Sequence, residues 1–349
     1  MSRLRARAAV FLLTLTAGCA ITPVLVPAAP ALAATASAPT RAQAASGWLA
    51  RQLVTGSHFT TVFSGVAYPN QGETIDAILA FAATKSANGY GTRTLNWLKL
   101  PSVLSGYIGS GTESYAGATA KLALATEVRG QNPASFGGVN LLRRLAKLLK
   151  ANGRYADHSA FGDFSNAFSQ SFAIIALSRH GGGPAKAARF LIANQCKNGG
   201  FPLSLGRKTC TSDTDSTAMA VQALLASGHQ AAAVRGVRWL ARVQHANGGL
   251  DAVGGTVPNA NTTGLAGEAF AAAGWHRQAA AAARFLASLQ QGCSSSSGRG
   301  AIAFDSTGFV RSTAIDATAQ GILGLADVSM AKISSRGSAY GDPRLRCSA

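Results

Sequence analysis

Two aspartates stand two positions apart in the middle of the chain, in the run DTDSTA at residues 213–218. A carboxylic acid that is kept protonated in a desolvated cavity, with a hydrogen-bonding neighbour, donates a proton to an alkene or an epoxide. Asp215 is therefore a candidate catalytic acid, and Asp213 is its candidate neighbour.

A structural role competes with this chemistry. Acidic or amide residues recur where Ala-rich segments begin, and such a side chain caps a helix by accepting hydrogen bonds from free N–H groups, worth about 0.5–2 kcal/mol. A helix N-terminus also lowers the pKa of a carboxyl group, whereas a proton donor needs a raised pKa. We favour capping for Asp215. We also expect the recurring side chains to gather at one end of the fold, where they would bind a ligand: Asp76, Glu113, Asn166, Asp215, Asn261 and Asp316.

These polar residues belong to a repeat that can be laid over the chain about six times, at intervals of about 46 to 49 residues. Each unit has a basic amphipathic segment with an aromatic-Leu pair, such as Trp239-Leu240, or Leu145 alone in the third unit. A turn and an Ala-rich segment follow. This period is typical of arrays of helical pairs, and six pairs account for residues 46–330.

The two kinds of helix differ in polarity. The segment around Trp239 places Val237 and Leu240 on one face and Arg235 and Arg238 on the other, as in a helix half exposed to water. The Ala-rich segment at 217–226 is apolar nearly all round, as in a buried helix. Two concentric rings, outer around inner, are the simplest arrangement. We therefore predict an all-α, (α/α)6 toroid, with an open solenoid as the alternative.

The turns carry a recognisable pattern, QCKNGGF at residues 195–201 and QHANGGL at residues 244–250. Together with Trp239-Leu240 before the second turn, they resemble the Gln/aromatic repeat of the squalene cyclase and protein prenyltransferase superfamily. The resemblance is strong in units four and five, fair in unit six around Gln290, and weak before Ala151. It implies an (α/α)6 toroid, in agreement with the periodicity.

Within that superfamily, the run at 213–218 is similar to the Asp-x-Asp-Asp-Thr-Ala motif of class II terpene cyclases. The similarity implies that Asp215 protonates the substrate, although Ser216 stands where the motif has its last aspartate. Cyclase cavities also need aromatic walls to stabilise carbocations, whereas aromatic residues make up 7% of this chain. The prenyltransferase zinc set and the Cys-Gly-Glu-Gln thioester run are absent, and the likeness to cobalamin-carrying toroids is one of repeat style alone.

The first 33 residues have the features of a signal peptide. Arg3, Arg5 and Arg7 precede an apolar run, and Ala31-Leu32-Ala33 fits the cleavage site. A lipid anchor at Cys19 is the alternative. We expect residues 34–45 to form a disordered spacer. The predicted mature protein is secreted or held at the cell surface, without a membrane span.

Four cysteines remain after cleavage, an even number that suggests disulfides in an exported chain. Three pairings are open, and we favour Cys196 with Cys210 and Cys293 with Cys347, the second of which would tie down a tail at residues 331–349. A metal site is the alternative, but no Cys-x-x-Cys spacing is present and the six histidines are scattered. We expect no metal and no cofactor.

The formal charge of +18 becomes +15 when the three arginines of the signal peptide are removed. The basic residues fall on the outer helices around the whole ring, and no nucleic-acid-binding motif accompanies them. We interpret them as a solvated face that could adsorb to an anionic cell-wall or membrane surface. Nucleic acid is not an expected partner, and we expect a monomer.

Two functions follow from these observations. The one we favour is an exported, non-catalytic toroid that binds an apolar small molecule such as a polyprenoid, or a cell-surface partner, at the mouth of the ring. The alternative is a class II-type terpene cyclase, an isomerase that starts by protonation from Asp215. An enclosed apolar cavity around Asp215 would favour the enzyme, and an inner ring filled by side chains would favour binding.

Overall fold

A computed structural model describes residues 40–347. In this range the chain forms thirteen α-helices, one β-hairpin and a 3-10 turn at Pro133–Ser135. In chain order the elements are α1 (Arg41–Gln52), β1 (Phe59–Phe63), β2 (Val66–Asn70), α2 (Gln71–Ala83), α3 (Asn88–Leu98), α4 (Pro101–Ile108), α5 (Ala116–Val128), α6 (Leu141–Lys147), α7 (Ala167–Arg179), α8 (Ala185–Ala193), α9 (Thr214–Ala226), α10 (Gln230–Val243), α11 (Ala260–Ala272), α12 (His276–Leu289) and α13 (Arg311–Leu325). The outer helices are α1, α3, α6, α8, α10 and α12. The inner helices are α2, α5, α7, α9, α11 and α13.

The inner helices form a closed ring. Each packs against the next in the order α2, α5, α7, α9, α11 and α13, and α13 packs against α2 and α1. The predicted (α/α)6 toroid of six helical pairs is therefore confirmed, and the open solenoid is wrong.

The glutamine of the repeat joins one outer helix to the next. Gln195 donates from Nε2 to the carbonyl of Gly199 in its own turn (2.8 Å) and to that of Ala232 in α10 (3.0 Å). Gln244 makes the same two bonds one unit later, to Gly248 and to Gln278 in α12. Gln290 repeats them with Gly300 and with Arg41, which begins α1 (2.9 Å). The sixth unit is thus linked to the first.

A second hydrogen bond sets the register of five of the six units. The Oγ1 of Thr217 in α9 accepts from the backbone N–H of Phe201, just after the turn (2.8 Å). Thr74, Gln170, Thr263 and Thr318 accept in the same way from Phe59, Tyr155, Leu250 and Ile302. The side chain at this position points outward, toward the loop that leads in from the outer helix, and it defines equivalent positions around the ring. In α5 the equivalent residue is Thr119, whose Oγ1 donates to the carbonyl of Tyr115 (2.6 Å) as that of Thr217 donates to the carbonyl of Asp213 (2.6 Å).

The inner helices have small residues where they touch, and this allows them to pack closely. A Cβ added at Gly264 of α11 would collide with the carbonyl oxygen of Gln320 in α13, and one at Gly267 would lie 3.2 Å from the Cα of Gly324. The outer helix α10 shows the predicted amphipathic arrangement, with Val237 and Leu240 buried and Arg238 exposed.

The first helix begins earlier than predicted. Thr40 and Gln43 form a capping box, so α1 includes residues 41–45, which we had assigned to the spacer, and Ala44 and Ala45 are fully buried. The cap and the alanines favour helix at this point. The predicted signal peptide, Cys19 and the rest of the spacer lie outside the described residues, as do residues 348–349.

After α13 the chain forms a strap across the C-terminal ends of three inner helices. The backbone N–H of Met330 donates to Gln222 of α9 (3.0 Å), Arg179 of α7 donates to Ala331, and Ser335 donates to Val128 of α5 (2.9 Å). Met330 and Ile333 are buried. The boundary that we predicted between residues 330 and 331 falls inside this strap.

Both favoured disulfides are present, Cys196–Cys210 and Cys293–Cys347. The second fastens the strap to the segment that follows α12. Two disulfides are typical of a protein that folds outside the cytoplasm. Over residues 40–347, no helix combines the length and the apolar character needed to cross a membrane.

Candidate functional site

The register of the repeat identifies the face of each inner helix that looks into the ring. Successive helical residues are about 100° apart around the helix axis. The positions two before, two after and five after the outward-pointing Thr or Gln therefore all lie roughly opposite to it, on the face toward the inside of the ring. These positions form three levels, counted from the N-terminal ends of the inner helices. The first level is Gly72, Gly117, Phe168, Asp215, Asn261 and Asp316; the second is Asp76, Lys121, Phe172, Met219, Leu265 and Gln320; the third is Leu79, Leu124, Ile175, Gln222, Glu268 and Leu323.

Access to water falls from level to level. All six residues of the first level are partly exposed, and in the second level Met219 and Leu265 are already buried. All six residues of the third level are buried. The lumen is therefore a funnel that opens at the N-terminal ends of the inner helices, and side chains fill the ring at the third level.

Asp213 and Asp215 have different roles in the fold. Asp213 is the N-cap of α9 and accepts from the backbone N–H of Ser216 (2.7 Å). Asp215 lies in the first turn and faces the funnel, and its Oδ1 is buried without a hydrogen-bond donor. Burial raises its pKa to about 6; a hydrogen bond from Thr262 lowers the pKa, and the charges of Asp213 and Asp316 raise it. The capping interpretation is thus wrong for Asp215, and the cap is two residues upstream.

The other predicted residues divide between caps and funnel. Asn166 caps α7 by accepting from the backbone N–H groups of Phe168 and Ser169. Asn261 and Asp76 do not cap their helices, because Asn259 is the N-cap residue of α11 and Asn70 is the N-cap residue of α2. We had matched the polar residues of different units with one another, whereas the caps and the funnel positions are separate features that lie two to six residues apart.

Two further residues complete the predicted set. Asp316 lies in the second turn of α13, at the first level of the funnel, and the Nδ2 of Asn261 donates to its Oδ2. Glu113 is outside the funnel, in the loop before α5, where its Oε1 accepts from the backbone N–H of Ala160 (2.9 Å). The structure thus brings Asp215, Asn261 and Asp316 together at one level and Asp76 below them.

Two charged residues that we had not predicted complete the cluster. Lys121, in the second level, donates to Oδ1 of Asp76 (2.7 Å) and to the carbonyl of Gly72 (3.1 Å). Glu73 lies one residue after the first-level Gly72. Burial, together with the charges of Asp316 and Asp76, raises the pKa of Glu73 to about 7, and Lys121 lowers it. Burial and then Asp76 raise the pKa of Asp316 to about 6, while Lys121, Asn261 and Gln320 lower it.

A sequence signal existed for both residues. Glu73 and Asp76 are three positions apart, so they share one face of a helix. Lys121 interrupts an otherwise uncharged Ala-rich stretch between residues 116 and 126. A single lysine inside a buried helix needs an acidic partner, because an unpaired buried charge is strongly unfavourable.

The floor of the funnel contains one more buried acid. Glu268 is fully buried, and its Oε2 accepts from Nε2 of Gln222 (3.0 Å), whose Oε1 accepts from Met330 in the strap. Burial raises the pKa of Glu268 to about 8, and the bond from Gln222 lowers it. At neutral pH this carboxyl group is mostly protonated.

Exposed apolar side chains surround the mouth. They lie in the loops and the hairpin that lead into the inner helices, and Phe63, Phe161 and Phe164 are each more than 70% exposed. We name this set the apolar collar: Phe63, Tyr68, Phe161, Phe164, Leu203, Val253, Val257, Phe304 and Val310.

Metal ligation has no support among residues 40–347. No three His, Cys, Asp or Glu side chains in that range are grouped so that they could hold a metal ion.

No protein-family model and no curated protein sequence matches the chain. Solved structures match its fold. A protein from Actinoplanes is 15% identical, with a TM-score of 0.62, over 82% of this chain and 98% of that one. The type II terpene cyclase MstE from Scytonema is 14% identical, with a TM-score of 0.59, over 82% and 96%. The unsaturated glucuronyl hydrolase from Bacillus sp. GL1 is 13% identical, with a TM-score of 0.58, over 88% and 99%. The fold is the α/α toroid that the repeat predicted, and the terpene cyclase and the glucuronyl hydrolase share it.

Proposed function

We propose that this protein is an exported, non-catalytic toroid that binds an amphiphilic small molecule at the mouth of the ring. The polar end of the ligand, a hydroxyl or an amine, enters the funnel, and its apolar part, such as a polyprenoid chain, contacts the apolar collar. The observation that carries this proposal is the acid cluster of Glu73, Asp76, Asp215 and Asp316 at the open end of a funnel whose third level is buried.

The chemistry of the cluster favours a ligand that donates hydrogen bonds. Carboxylate oxygens only accept, and the Oδ1 of Asp215 has no donor in the protein. Hydrogen bonds to charged groups contribute about 1.5–3 kcal/mol each. A hydroxyl or ammonium group at the first level would supply the missing donor.

The distribution of charge supports the same class of ligand. Ten of the fourteen acidic residues lie in the first two turns of inner helices or in the loops that lead to them, whereas the basic residues of α8, α10 and α12 point outward. An anionic head group would meet repulsion at this mouth. The ten are Glu73, Asp76, Glu113, Asp157, Asp163, Asp213, Asp215, Asp251, Asp305 and Asp316.

The same funnel is a poor site for a carbocation. Phe168 and Phe172 are the aromatic residues among the three levels, so most of the wall lacks the rings that stabilise a cation. The buried third level also leaves little depth for a long folded substrate.

The test begins with the mature, oxidised protein purified from culture supernatant, with native mass spectrometry to identify any bound molecule. Farnesylamine, farnesol and squalene are then titrated as probes. We expect the amine and the alcohol to bind at least tenfold more tightly than the hydrocarbon. The variant D215N/D316N should weaken binding of the amine about tenfold or more, and D251N, a change in another loop at the mouth, should leave it unchanged. Equal binding of squalene, or full binding by D215N/D316N, would contradict the proposal.

A second candidate rests on one observation. Asp215 has a raised pKa of about 6 and a buried oxygen without a partner, which are properties of a proton donor. The corresponding function is a class II-type terpene cyclase that begins by protonation from Asp215 and ends by loss of a proton, so that the product is an isomer of the substrate.

This candidate is tested with squalene and geranylgeraniol at pH 5.5, with mass-spectrometric detection of isomeric cyclic products. A product that is formed by the wild type and by D251N, but not by D215N, would replace the binding proposal with the enzyme. Without such a product, the enzyme is excluded for these substrates.

A further inference from the structure

A second concave site lies on the outer wall, away from the funnel. It is an open groove of about 700 Å³ between α6 and the loops that precede α5 and α7. It is lined by Gly111, Thr112 and Ser114, by residues between 138 and 150, and by His158.

The groove is strongly basic. Arg143, Arg144, Lys147 and Lys150 all line it, and none of its lining residues, all within the described range, is acidic. Arg143 and Lys147 are four residues apart on α6 and lie on one face of the helix. Four positive charges in one groove, with no carboxylate among its lining residues, distinguish it from a solvated face of scattered charges.

Arg144 is held in place by the fold. Its Nη2 donates to the carbonyl oxygens of Ile108 (2.8 Å), Gly109 (2.8 Å) and Glu113 (2.7 Å). Its Nε is buried and has no acceptor. These bonds hold the positive charge of Arg144 at the wall of the groove, where it attracts an anion, and the planar donor pattern of arginine matches phosphate well.

Glu113, between the lining residues Thr112 and Ser114, does not itself line the groove. Oε1 of Glu113 accepts from the backbone N–H of Ala160, and its Oε2 accepts from the hydroxyl of Tyr115 (3.2 Å). Both oxygens are thus engaged by the 115 and 160 segments. The backbone carbonyl of Glu113, by contrast, helps to hold Arg144.

We propose that this groove is a phosphate-binding site, which takes the phosphate groups of a surface polymer or of a lipid headgroup and so holds the exported toroid at an anionic surface. The proposal is independent of the funnel ligand, because the acid cluster of the funnel and the basic groove share no residue.

The test uses the full mature, oxidised protein. Sodium tripolyphosphate serves as a free phosphate chain and is titrated by calorimetry. Vesicles of phosphatidylcholine with and without phosphatidylglycerol serve as the lipid source and are assayed by co-sedimentation. The groove variant is R143Q/K147Q, in which both changes are at exposed positions and Arg144 keeps its structural bonds. The matched control is R238Q/R277Q, which removes two exposed charges from α10 and α12.

We expect the groove variant to weaken binding of tripolyphosphate, of phosphatidylglycerol vesicles or of both by at least tenfold, and the control to weaken it by less than twofold. The source that shows this difference is the one the groove serves. Equal weakening in both variants would mean general charge attraction and would overturn the proposal. No binding of either probe by the wild type at low salt would also overturn it. Unchanged thermal unfolding of R143Q/K147Q shows that a loss of binding is not a loss of fold.

Discussion

The ammonium nitrogen of Lys121 on α5 lies 2.7 Å from Oδ1 of Asp76 on α2, in the wall of an otherwise acidic funnel. Both side chains are about 15% exposed. Burial lowers the pKa of Lys121, but the negative charge of Asp76, with Tyr107 and Asp316, more than offsets this effect, so the pKa is above its usual value. The lysine therefore remains charged and holds the acids of two inner helices together.

Lys121→Met should destabilise the protein by about 3 kcal/mol, because it leaves Asp76 beside Glu73 and Asp316 without a cation. The measurement is the free energy of unfolding in urea at pH 7. The double variant D76N/K121M is the control, and it should lose less than the sum of the two single variants. Strict additivity would contradict coupling between the two charges.

The toroid should be more stable at pH 5 than at pH 8. Glu73, Asp215, Asp316 and Glu268 have pKa values of about 7, 6, 6 and 8 in the folded protein, above the ordinary carboxyl range near 4. Between about pH 4 and 8 the folded state thus binds more protons than the unfolded state, so stability falls as the pH rises. Urea midpoints measured across this range check the sign.

Glu268→Gln isolates the largest contribution to that pH dependence. Because the pKa of Glu268 is raised to about 8, the difference in the free energy of unfolding between pH 5 and pH 8 should shrink by about 3 kcal/mol in the variant. Glu113→Gln is the control, because hydrogen bonds from Ser159 and Ala160 lower the pKa of that exposed carboxyl and it is already ionised at pH 5. An unchanged slope in Glu268→Gln would mean that this group is ionised in the folded protein.

Gly264→Ala should cost roughly 3 kcal/mol, since the new methyl group would collide with the backbone of Gln320 and force α11 and α13 apart. Gly106→Ala in α4 is the matched change. Its added Cβ meets nothing closer than a side-chain nitrogen of Gln71 at 3.7 Å, so it should be neutral or slightly stabilising because of helix propensity. Thermal unfolding distinguishes the two, and equal effects would contradict close packing at Gly264.

Loss of the Cys293–Cys347 disulfide should destabilise more than loss of Cys196–Cys210. The first closes a loop with a sequence separation of 54 and the second one of 14, which correspond to about 4 and 3 kcal/mol in the chain-entropy model. The variants C293S/C347S and C196S/C210S are compared by urea unfolding. The reverse order would indicate that the strap contributes little to the folded ring.

The fold could be predicted from the sequence because two residues of the repeat, a glutamine and a turn glycine, are required by the local structure. The Gln at 195, 244 and 290 must reach the next outer helix, and Gly199 and Gly248 have positive φ values of 98° and 90° where a side chain would meet the following helix. Such requirements recur from the fourth unit to the sixth and are visible there as a period. The pairing of the cysteines followed from the same division of the chain into units.

The site was predicted only in part, because the residues of the funnel differ from unit to unit. Asp215, Asn261 and Asp316 share one level, but Gly72, Gly117 and Phe168 stand there in the first three units. Asp76 and Lys121 meet only because two neighbouring helices bring them together. The raised pKa values likewise depend on burial by the whole ring, which no local pattern contains.

The link from Gln290 to Arg41 gives the ring no first or last member. In a linear array a terminal unit can be lost together with one interface, whereas here the loss of any unit would open two, so the number of units is fixed by geometry. Length can change freely only in the loops that lead into the inner helices. Those loops carry the apolar collar, and proteins of this shape can therefore diverge in what they recognise while the ring itself stays constant.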